Sequence, residues 1–164
     1  MKFFGAIKNL QFREFLTLTG IFIFSPMYFL PTLRATKKTL KKCNLRYGSL
    51  HHSNDITNAY RHVLWNLLIC EECYKVTGNV ERAINWAGKI TDLHEELSPN
   101  PALEKEMDLH NNRIGREIFI ESIAEKLNSR QLLDQKMEDA IRINSFKDLA
   151  NNKSVPVFLE ADNF

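Results

Sequence analysis

The chain has 164 residues, of which 44% are hydrophobic and 26% are charged, and these proportions predict one globular domain with a core of ordinary size. They argue against a disordered chain, a collagen and a disulfide-rich scaffold. The net charge is only +2, but residues 1–50 carry nine Lys or Arg against one acidic residue, Glu14. This asymmetry predicts that the first third of the chain faces a membrane surface or another anionic partner.

The first predicted element is an apolar segment, residues 15–30, which reads FLTLTGIFIFSPMYFL. A helix that spans a bilayer needs about 20 residues, and this shorter run is interrupted by Gly20 and Pro26. No small-residue cleavage site follows it, so it is not a clear cleavable signal peptide. Basic residues on both sides favour a position among lipid headgroups. The alternative is burial in the protein's own core or in a partner.

The second predicted element is a helix over residues 32–45, with apolar residues at helical spacing and lysines between them. We therefore expect a membrane surface or lipid to contact residues 15–42. Nucleic acid is not expected as a partner, because the rest of the chain is acidic and no base-reading motif is present.

Three longer helices are predicted next, over residues 55–77, 80–97 and 101–127, bounded by Gly78 and by the breaker Ser98-Pro99-Asn100-Pro101. A fourth is predicted over 130–143, and residues 146–164 are predicted to form an extended tail that packs back. The expected fold is a single all-α domain, a compact bundle of five to six helices with an apolar N-terminal segment. Residues 1–50 would form its N-terminal helices and residues 51–145 its motif-bearing core.

Polar residues occupy positions on the three central helices where core residues are expected. Side chains three or four positions apart share one face of a helix, so these groups can converge on one pocket between antiparallel helices. They are Asn58, Arg61, His62, Trp65 and Asn66 on the first helix, Asp92, His94 and Glu95 on the second, and Asp108, His110, Asn111, Asn112 and Arg116 on the third.

Three interpretations fit this set of polar groups. In the first, His62 is a general base oriented by Asp92 or Asp108. In the second, a divalent metal ion is the cofactor, although the spacing matches no standard zinc signature; the candidate ligands are His62, His94, Asp108 and His110. In the third, the groups form a purely structural network.

The catalytic interpretation assigns a role to each residue. The proposed catalytic residues are Arg61, His62, His94, Glu95, Asp108 and Asn112. The proposed substrate-binding residues are Asn58, Trp65, Asn66, Asn111 and Arg116. The three cysteines, which include the C-x-x-C pair Cys70 and Cys73, are interpreted as ordinary free thiols because no second pair completes a zinc site.

The motif residues resemble a known family. N-A-Y-R-H-x-x-W-N at 58–66, H-E at 94–95 and M-D-L-H-N-N-x-x-G-R at 107–116 resemble an uncharacterised bacterial domain family of unknown function. That family occurs in secreted and toxin-like contexts, among others, and the resemblance covers about residues 30–120. It implies a protein held in the bacterial cytoplasm before delivery or associated with the envelope. It also implies a cognate immunity protein as a partner.

A weaker similarity is to prokaryotic phospholipase A2, whose catalytic helix carries an R-H-D motif. Arg61 and His62 match that motif, but Val63 stands where the family has its calcium-binding aspartate. The glycine-rich calcium loop and the disulfides are missing as well. The similarity therefore implies a helix-borne histidine that a carboxylate on a neighbouring helix orients, without the calcium chemistry.

We expect from these observations a small, effector-like hydrolase that acts at or near a membrane on lipid or a lipid-linked envelope precursor. The alternative is a non-catalytic helical module, either an immunity-type protein or a membrane adaptor.

Overall fold

The computed structural model describes residue 20 and residues 25–48 and 55–160. Most of the predicted apolar segment, residues 15–19 and 21–24, lies outside the described residues. The described helices are α1 (Phe29–Tyr47), α2 (Ile56–Thr77), α3 (Val80–Leu97), α4 (Ala102–Ala124), α5 (Ser129–Glu138) and α6 (Phe146–Asn151). A short 3-10 helix, Pro26–Tyr28, precedes α1, and two short strands, β1 (Ile141–Arg142) and β2 (Val157–Phe158), complete the order. The prediction of a compact all-α bundle is confirmed.

Helix α2 is the centre of the bundle and packs against α1, α3 and α4. The side chain of Asp55 caps it by accepting a hydrogen bond from the backbone N–H of Thr57 at 2.9 Å. Gly78, in the left-handed region at φ +61°, ends it. Most residues of α2 are buried, and since it is covered on nearly every side, its polar residues face neighbouring helices rather than water.

Helices α2 and α4 approach closely at Gly115. A Cβ atom on Gly115 would lie 2.3 Å from the carbonyl oxygen of Val63 and 2.9 Å from the Cβ of Asn66. Only glycine allows this spacing. The close approach brings the polar residues of α4 within hydrogen-bonding distance of those on α2.

Helix α1 covers one side of α2 and is tied to the bundle through threonine hydroxyls. Nε1 of Trp65 donates to Oγ1 of Thr36 at 3.0 Å, and Nε1 of Trp86 donates to Oγ1 of Thr32 at 2.9 Å. These bonds satisfy two indole groups that would otherwise be buried without partners. No helix within the described residues combines the length and the apolarity needed to cross a bilayer.

The outer face of α1 exposes a line of residues spaced three or four apart, opposite the buried face. We call this line the α1 stripe. It consists of Leu30, Arg34, Lys37, Lys41 and Leu45. Helix α1 contains no acidic residue. Lys38, on the side of the stripe, forms an ion pair with Glu72 at 2.7 Å.

Three predictions about the end of the chain are wrong. Helix α4 ends at Ala124 rather than at 127. The fourth predicted helix, 130–143, ends at Glu138, because Ile141 leaves the helix and pairs with a strand. The predicted extended tail contains helix α6, which forms because the Ser145 side chain caps the N–H of Asp148.

The C-terminal strap, residues 155–158, packs back as predicted. Strand β2 pairs with β1 in parallel, with Ile141 opposite Val157. The side chain of Asn111 binds both backbone groups of Val157, accepting from its N–H at 3.0 Å and donating to its carbonyl at 2.8 Å. Val157 is buried with Met107 and Ile143 in a small second core. The strap is therefore anchored to α4 by a side chain as well as by apolar contact.

Candidate functional site

Polar side chains from α2, α3 and α4 meet around one histidine. We call His62, Glu95, Asp108 and Asn112 the His62 cluster. All four are almost completely buried, with at most 3% of each residue exposed. Buried polar and charged groups persist when they satisfy one another or a ligand, so their mutual geometry decides what the cluster can do.

Asn112 holds the Nδ1 side of His62. Oδ1 of Asn112 lies 3.1 Å from Nδ1, and Oε1 of Glu95 lies 3.4 Å from the same nitrogen. Oδ1 of Asn112 also accepts a hydrogen bond from Nδ2 of Asn66 at 2.7 Å, and Nδ2 of Asn112 donates to Oε1 of Glu95 at 3.1 Å. An amide oxygen can only accept, so this arrangement places the proton of neutral His62 on Nδ1.

Arg61 and Asp108 hold the Nε2 side. Nη2 of Arg61 lies 3.0 Å from Nε2 of His62, and Oδ1 of Asp108 lies 3.4 Å from it. The Arg61 guanidinium also donates to Oδ1 of Asn58, whose Nδ2 donates to Oδ1 of Asp108 at 2.9 Å. A guanidinium only donates. Nε2 therefore carries the lone pair, in agreement with the assignment made from Nδ1.

Burial keeps the imidazoles neutral. Desolvation, reinforced by the charge of Arg61, lowers the pKa of His62 well below its usual value. Desolvation lowers the pKa of His94 to about 4, with the neighbouring His62 adding to the effect. Both rings are therefore unprotonated at neutral pH and able to accept a proton or a metal ion.

Burial raises the pKa values of the two carboxyl groups. Desolvation raises the pKa of Asp108 to about 6, against the opposing charge of Arg61. Desolvation together with the charge of Asp108 raises the pKa of Glu95 to about 8. The pKa values of both carboxyl groups are therefore raised by burial, a perturbation typical of acid–base sites.

The cluster comes close to the surface at Arg61 and His94, which are both partly exposed. The His94 ring packs edge-on against Trp65, with ring centroids 5.2 Å apart. His62, Glu95 and Asp108 lie deeper, so this is the side of the cluster nearest to solvent.

Arg116 and Asn66 extend the network away from His62. Nη1 of Arg116 donates to Oδ1 of Asn66 at 3.0 Å, and the Thr91 hydroxyl donates to the same oxygen at 3.2 Å. Asp92, a predicted alternative carboxylate behind His62, lies instead 3.8 Å from Nη1 of Arg116. Arg116 and Asp92 also line a surface cleft of about 500 Å³ between α3, α4 and α6.

Besides Asp92, two predicted site residues lie outside the cluster. Nε2 of His110 donates to the carbonyl oxygen of Val155 at 2.8 Å, and Asn111 binds Val157. Both residues hold the C-terminal strap, whereas the neighbouring Asp108 and Asn112 face His62. The other predicted residues lie in the cluster or in contact with it; they are Asn58, Arg61, Trp65, Asn66, His94 and, through Asn66, Arg116.

One polar partner was missed by the sequence reasoning. Thr91 is fully buried and bonds to Asn66. It lies one helical turn before Glu95 on α3, so helical spacing from a candidate residue was the signal that could have identified it.

Three side chains of the cluster have the atoms and spacing to bind a metal ion. One ligand atom each from His62, Glu95 and Asp108 lie within 4.8 Å of one another. This set includes Glu95, which sequence reasoning assigned to catalysis alone. The predicted ligands His94 and His110 are not part of it.

Comparison with known proteins identifies the family. The family model described as Domain of unknown function (DUF6973) matches residues 19–142, a span that contains every residue of the His62 cluster. No curated protein and no solved structure matches the chain. The predicted resemblance to an uncharacterised family is thereby confirmed.

Proposed function

The chain belongs to the DUF6973 family of unknown function, and from the chemistry of its site we propose that it is a small hydrolase acting at or near a membrane. The observation that carries this proposal is the convergence of His62, Glu95 and Asp108 from three helices in one buried cluster. Such a set of unlike titratable groups is typical of sites that move protons.

The hydrogen bonds suggest a role for each side of His62. Asn112 fixes the ring through Nδ1, so Nε2 is the atom that removes a proton from water. Asp108 lies beside Nε2 rather than behind the ring, where it can orient that water or receive its proton. This differs from the dyad expected from sequence, in which a carboxylate orients the imidazole.

Arg61 is suited to binding the substrate. Its guanidinium lies at the partly exposed side of the cluster, 3.0 Å from Nε2. A cation at this place can bind an anionic group of the substrate or stabilise the negative charge that develops during hydrolysis. In a lipid, a phosphate ester would supply the anionic group, and an acyl ester would develop the negative charge during hydrolysis.

The α1 stripe supports action at a membrane. It presents three cations between two exposed leucines on a helix without acidic residues. Anionic lipid attracts such a surface, and leucine side chains can enter the headgroup region. A lipid or a lipid-linked envelope precursor is therefore the substrate class that we propose.

The proposal is tested by expressing the full chain in the bacterial cytoplasm and, with an export signal, in the periplasm. We expect wild type to arrest growth in one compartment, and His62→Ala and the nearly isosteric Asp108→Asn to abolish the arrest. His110→Ala is the matched control, because that histidine lies outside the cluster, and it should remain toxic. Circular dichroism of each purified variant confirms folding. Toxicity that survives in folded Asp108→Asn would contradict the proposal.

A non-catalytic helical module is the second candidate, and one observation favours it. Among the buried side-chain nitrogen and oxygen atoms of the described residues, Nη1 of Arg130 is the one without a hydrogen-bond partner. The His62 cluster is thus a complete network without any ligand, as a structural role requires. Absence of toxicity in both compartments, together with tight binding to the product of a neighbouring gene, would favour an immunity-type or membrane-adaptor protein.

A further inference from the structure

We infer that His62, Glu95 and Asp108 bind one divalent transition-metal ion. As a catalytic device this ion rests on the proposed function: when the Nε2 lone pair of His62 is bound to the ion, the ion rather than the free imidazole would activate the water that the hydrolase uses. Ion binding itself needs no substrate and can be measured separately.

The first argument is the position of the ligand atoms. They come from three different helices and lie within 4.8 Å of one another. Bonds of about 2.0–2.2 Å to one ion place its ligand atoms roughly 3 to 4 Å apart. Oδ1 of Asp108 lies 3.4 Å from Nε2 of His62, the nitrogen with the free lone pair, whereas Oε1 of Glu95 lies 3.4 Å from Nδ1. Asp108 is therefore already beside the coordinating nitrogen, and rotation of the Glu95 side chain toward Nε2 would complete the set, with a coordination position left for water.

The second argument is the set of amides around the ligands. Asn58 donates to the Asp108 carboxylate at 2.9 Å, and Asn112 donates to the Glu95 carboxyl at 3.1 Å. Oδ1 of Asn112 faces Nδ1 of His62 at 3.1 Å. Each candidate ligand is thus oriented by an asparagine. Metal ligands are usually held by such outer hydrogen bonds, which fix their direction and the tautomer of the histidine.

The third argument is charge. Two carboxyl groups are buried together, and the guanidinium in contact with the cluster belongs to Arg61. That guanidinium occupies the Nε2 side of His62, close to Asp108. Because Arg61 is partly exposed, its side chain can turn toward solvent. Arg61 is then the cation of the metal-free cluster, and the incoming ion takes its place.

The chemistry of the ligands selects the ion. One imidazole nitrogen and two carboxylates suit Zn²⁺ or Mn²⁺, whereas Mg²⁺ and Ca²⁺ prefer sites made of oxygen atoms. The buried thiols of Cys70 and Cys73 are the competing site for Zn²⁺. Mn²⁺ avoids this competition because it binds thiolates less readily, so it is the better first probe.

The test is titration calorimetry of the chelator-treated full chain with MnCl₂ and with ZnCl₂. We expect one bound ion per chain, and the bound ion should raise the melting temperature of the protein. His62→Ala and Asp108→Asn should weaken binding at least about tenfold, and Asn58→Ala about 10- to 100-fold. Arg61→Ala should bind as tightly as wild type or more tightly, since it removes the competing cation. His110→Ala, outside the cluster, should be unchanged.

Cobalt substitution identifies the ligand atoms. Bound Co²⁺ should show ligand-field bands without thiolate charge transfer, and Cys70→Ser/Cys73→Ser should leave these bands unchanged. The inference would be overturned if bound Co²⁺ showed thiolate charge transfer that the double serine variant loses. It would also be overturned if Mn²⁺ bound folded Asp108→Asn as tightly as wild type. Ion binding without toxicity would retain the metal site and reject the hydrolase. Toxicity without ion binding would retain the hydrolase and reject the metal site.

Discussion

Gly115 shows how one residue sets the geometry of the site. Its missing side chain lets α4 approach the backbone of α2 at Val63. Asn112 and Asp108, one and two turns earlier on α4, then reach His62. The sequence motif places Gly115 beside Arg116 but does not reveal whether this glycine serves a turn or a helix contact. The backbone distance shows that it serves the contact.

Substitution of Gly115 by Ala should therefore destabilise the protein. The new Cβ would lie 2.3 Å from a carbonyl oxygen that belongs to the backbone and cannot rotate away. We expect the free energy of unfolding in urea to fall by about 1–3 kcal/mol.

Gly88→Ala is the matched control for this prediction. Its Cβ would meet Arg116 at ordinary contact distances of 3.7 Å and more. It should leave stability unchanged or raise it by about 0.5–1 kcal/mol, because alanine favours helix. Equal effects of the two substitutions would show that the close approach at Gly115 is not tight.

Helical spacing explains which site residues could be found from sequence. Asn58, His62 and Asn66 share a face of α2, and Asp108 and Asn112 share a face of α4, as predicted. Spacing alone cannot give the rotation of α4 against its neighbours. Successive residues are about 100° apart, so Asn112 reaches His62 while Asn111 points to the strap.

At the scale of the elements, the long helices were predictable because capping and breaking residues surround them. Gly78 ends α2 where the sequence predicts it, and the caps Asp55 and Asn79 start α2 and α3 within a residue of the predicted bounds. Strands β1 and β2 have two residues each, and that length is too short to show alternation. Their pairing depends on Asn111 and on apolar contact with α4, which are tertiary interactions that no local pattern contains.

The strap gives a prediction for Asn111. Asn111→Ala removes both hydrogen bonds to the Val157 backbone and should cost about 1–3 kcal/mol of local stability. Amide hydrogen exchange should become faster at Val157 and around β1, while α2 stays protected. Faster exchange throughout the bundle would mean instead that the strap does not open separately.

The α1 stripe gives a prediction for lipid binding. The full chain should co-sediment with anionic vesicles, and Arg34→Glu/Lys37→Glu/Lys41→Glu should release it, since each cation contributes about 1 kcal/mol near anionic lipid. Salt should weaken binding in the same way. Lys38, which also lies on this helix, is a poorer choice because it pairs with Glu72.

The control for lipid binding makes the same charge change elsewhere. Arg82→Glu/Lys89→Glu/Lys147→Glu alters three exposed cations that lie outside α1 and should leave vesicle binding largely intact. Binding that ignores both salt and the α1 substitutions would reject the stripe as the contact surface.

For the whole molecule, the shifted pKa values predict how stability changes with pH. The pKa of Glu95 is raised from 4.5 to about 8, so between these values this carboxyl group is protonated in the folded protein and ionised in the unfolded chain. The contribution of Glu95 to stability therefore falls as pH rises through this range. The lowered pKa values of His62 and His94 have the opposite effect, but it ends near pH 6.5. Glu95 therefore dominates between pH 6.5 and 8.

Urea unfolding of the metal-free protein should accordingly show a loss of up to about 2 kcal/mol between pH 6.5 and 8. Glu95→Gln replaces the protonated carboxyl with a neutral amide and should flatten the profile. A wild-type profile that is already flat in this interval would show that Glu95 is ionised throughout.

The helical spacing of apolar residues, together with the breakers between the helices, was sufficient to predict an all-α domain, whereas composition alone predicted only one globular domain. The expected membrane contact of residues 15–30 stays a prediction, since most of that segment lies outside the described residues. The identity of the ligand could not be predicted from the sequence, because the polar groups of the cluster satisfy one another's hydrogen bonds without a ligand.

The C-terminal strap also affects the order in which the protein can reach its final form during synthesis. Residues 155–158 leave the ribosome after every helix of the bundle, yet they supply the backbone groups that bind His110 and Asn111 on α4. Until then the Asn111 amide, beside the residues that face His62, lacks its partners on Val157. A nascent chain that ends before the strap therefore leaves this side of α4 uncovered, and the surface is covered only after residues 155–158 have left the ribosome.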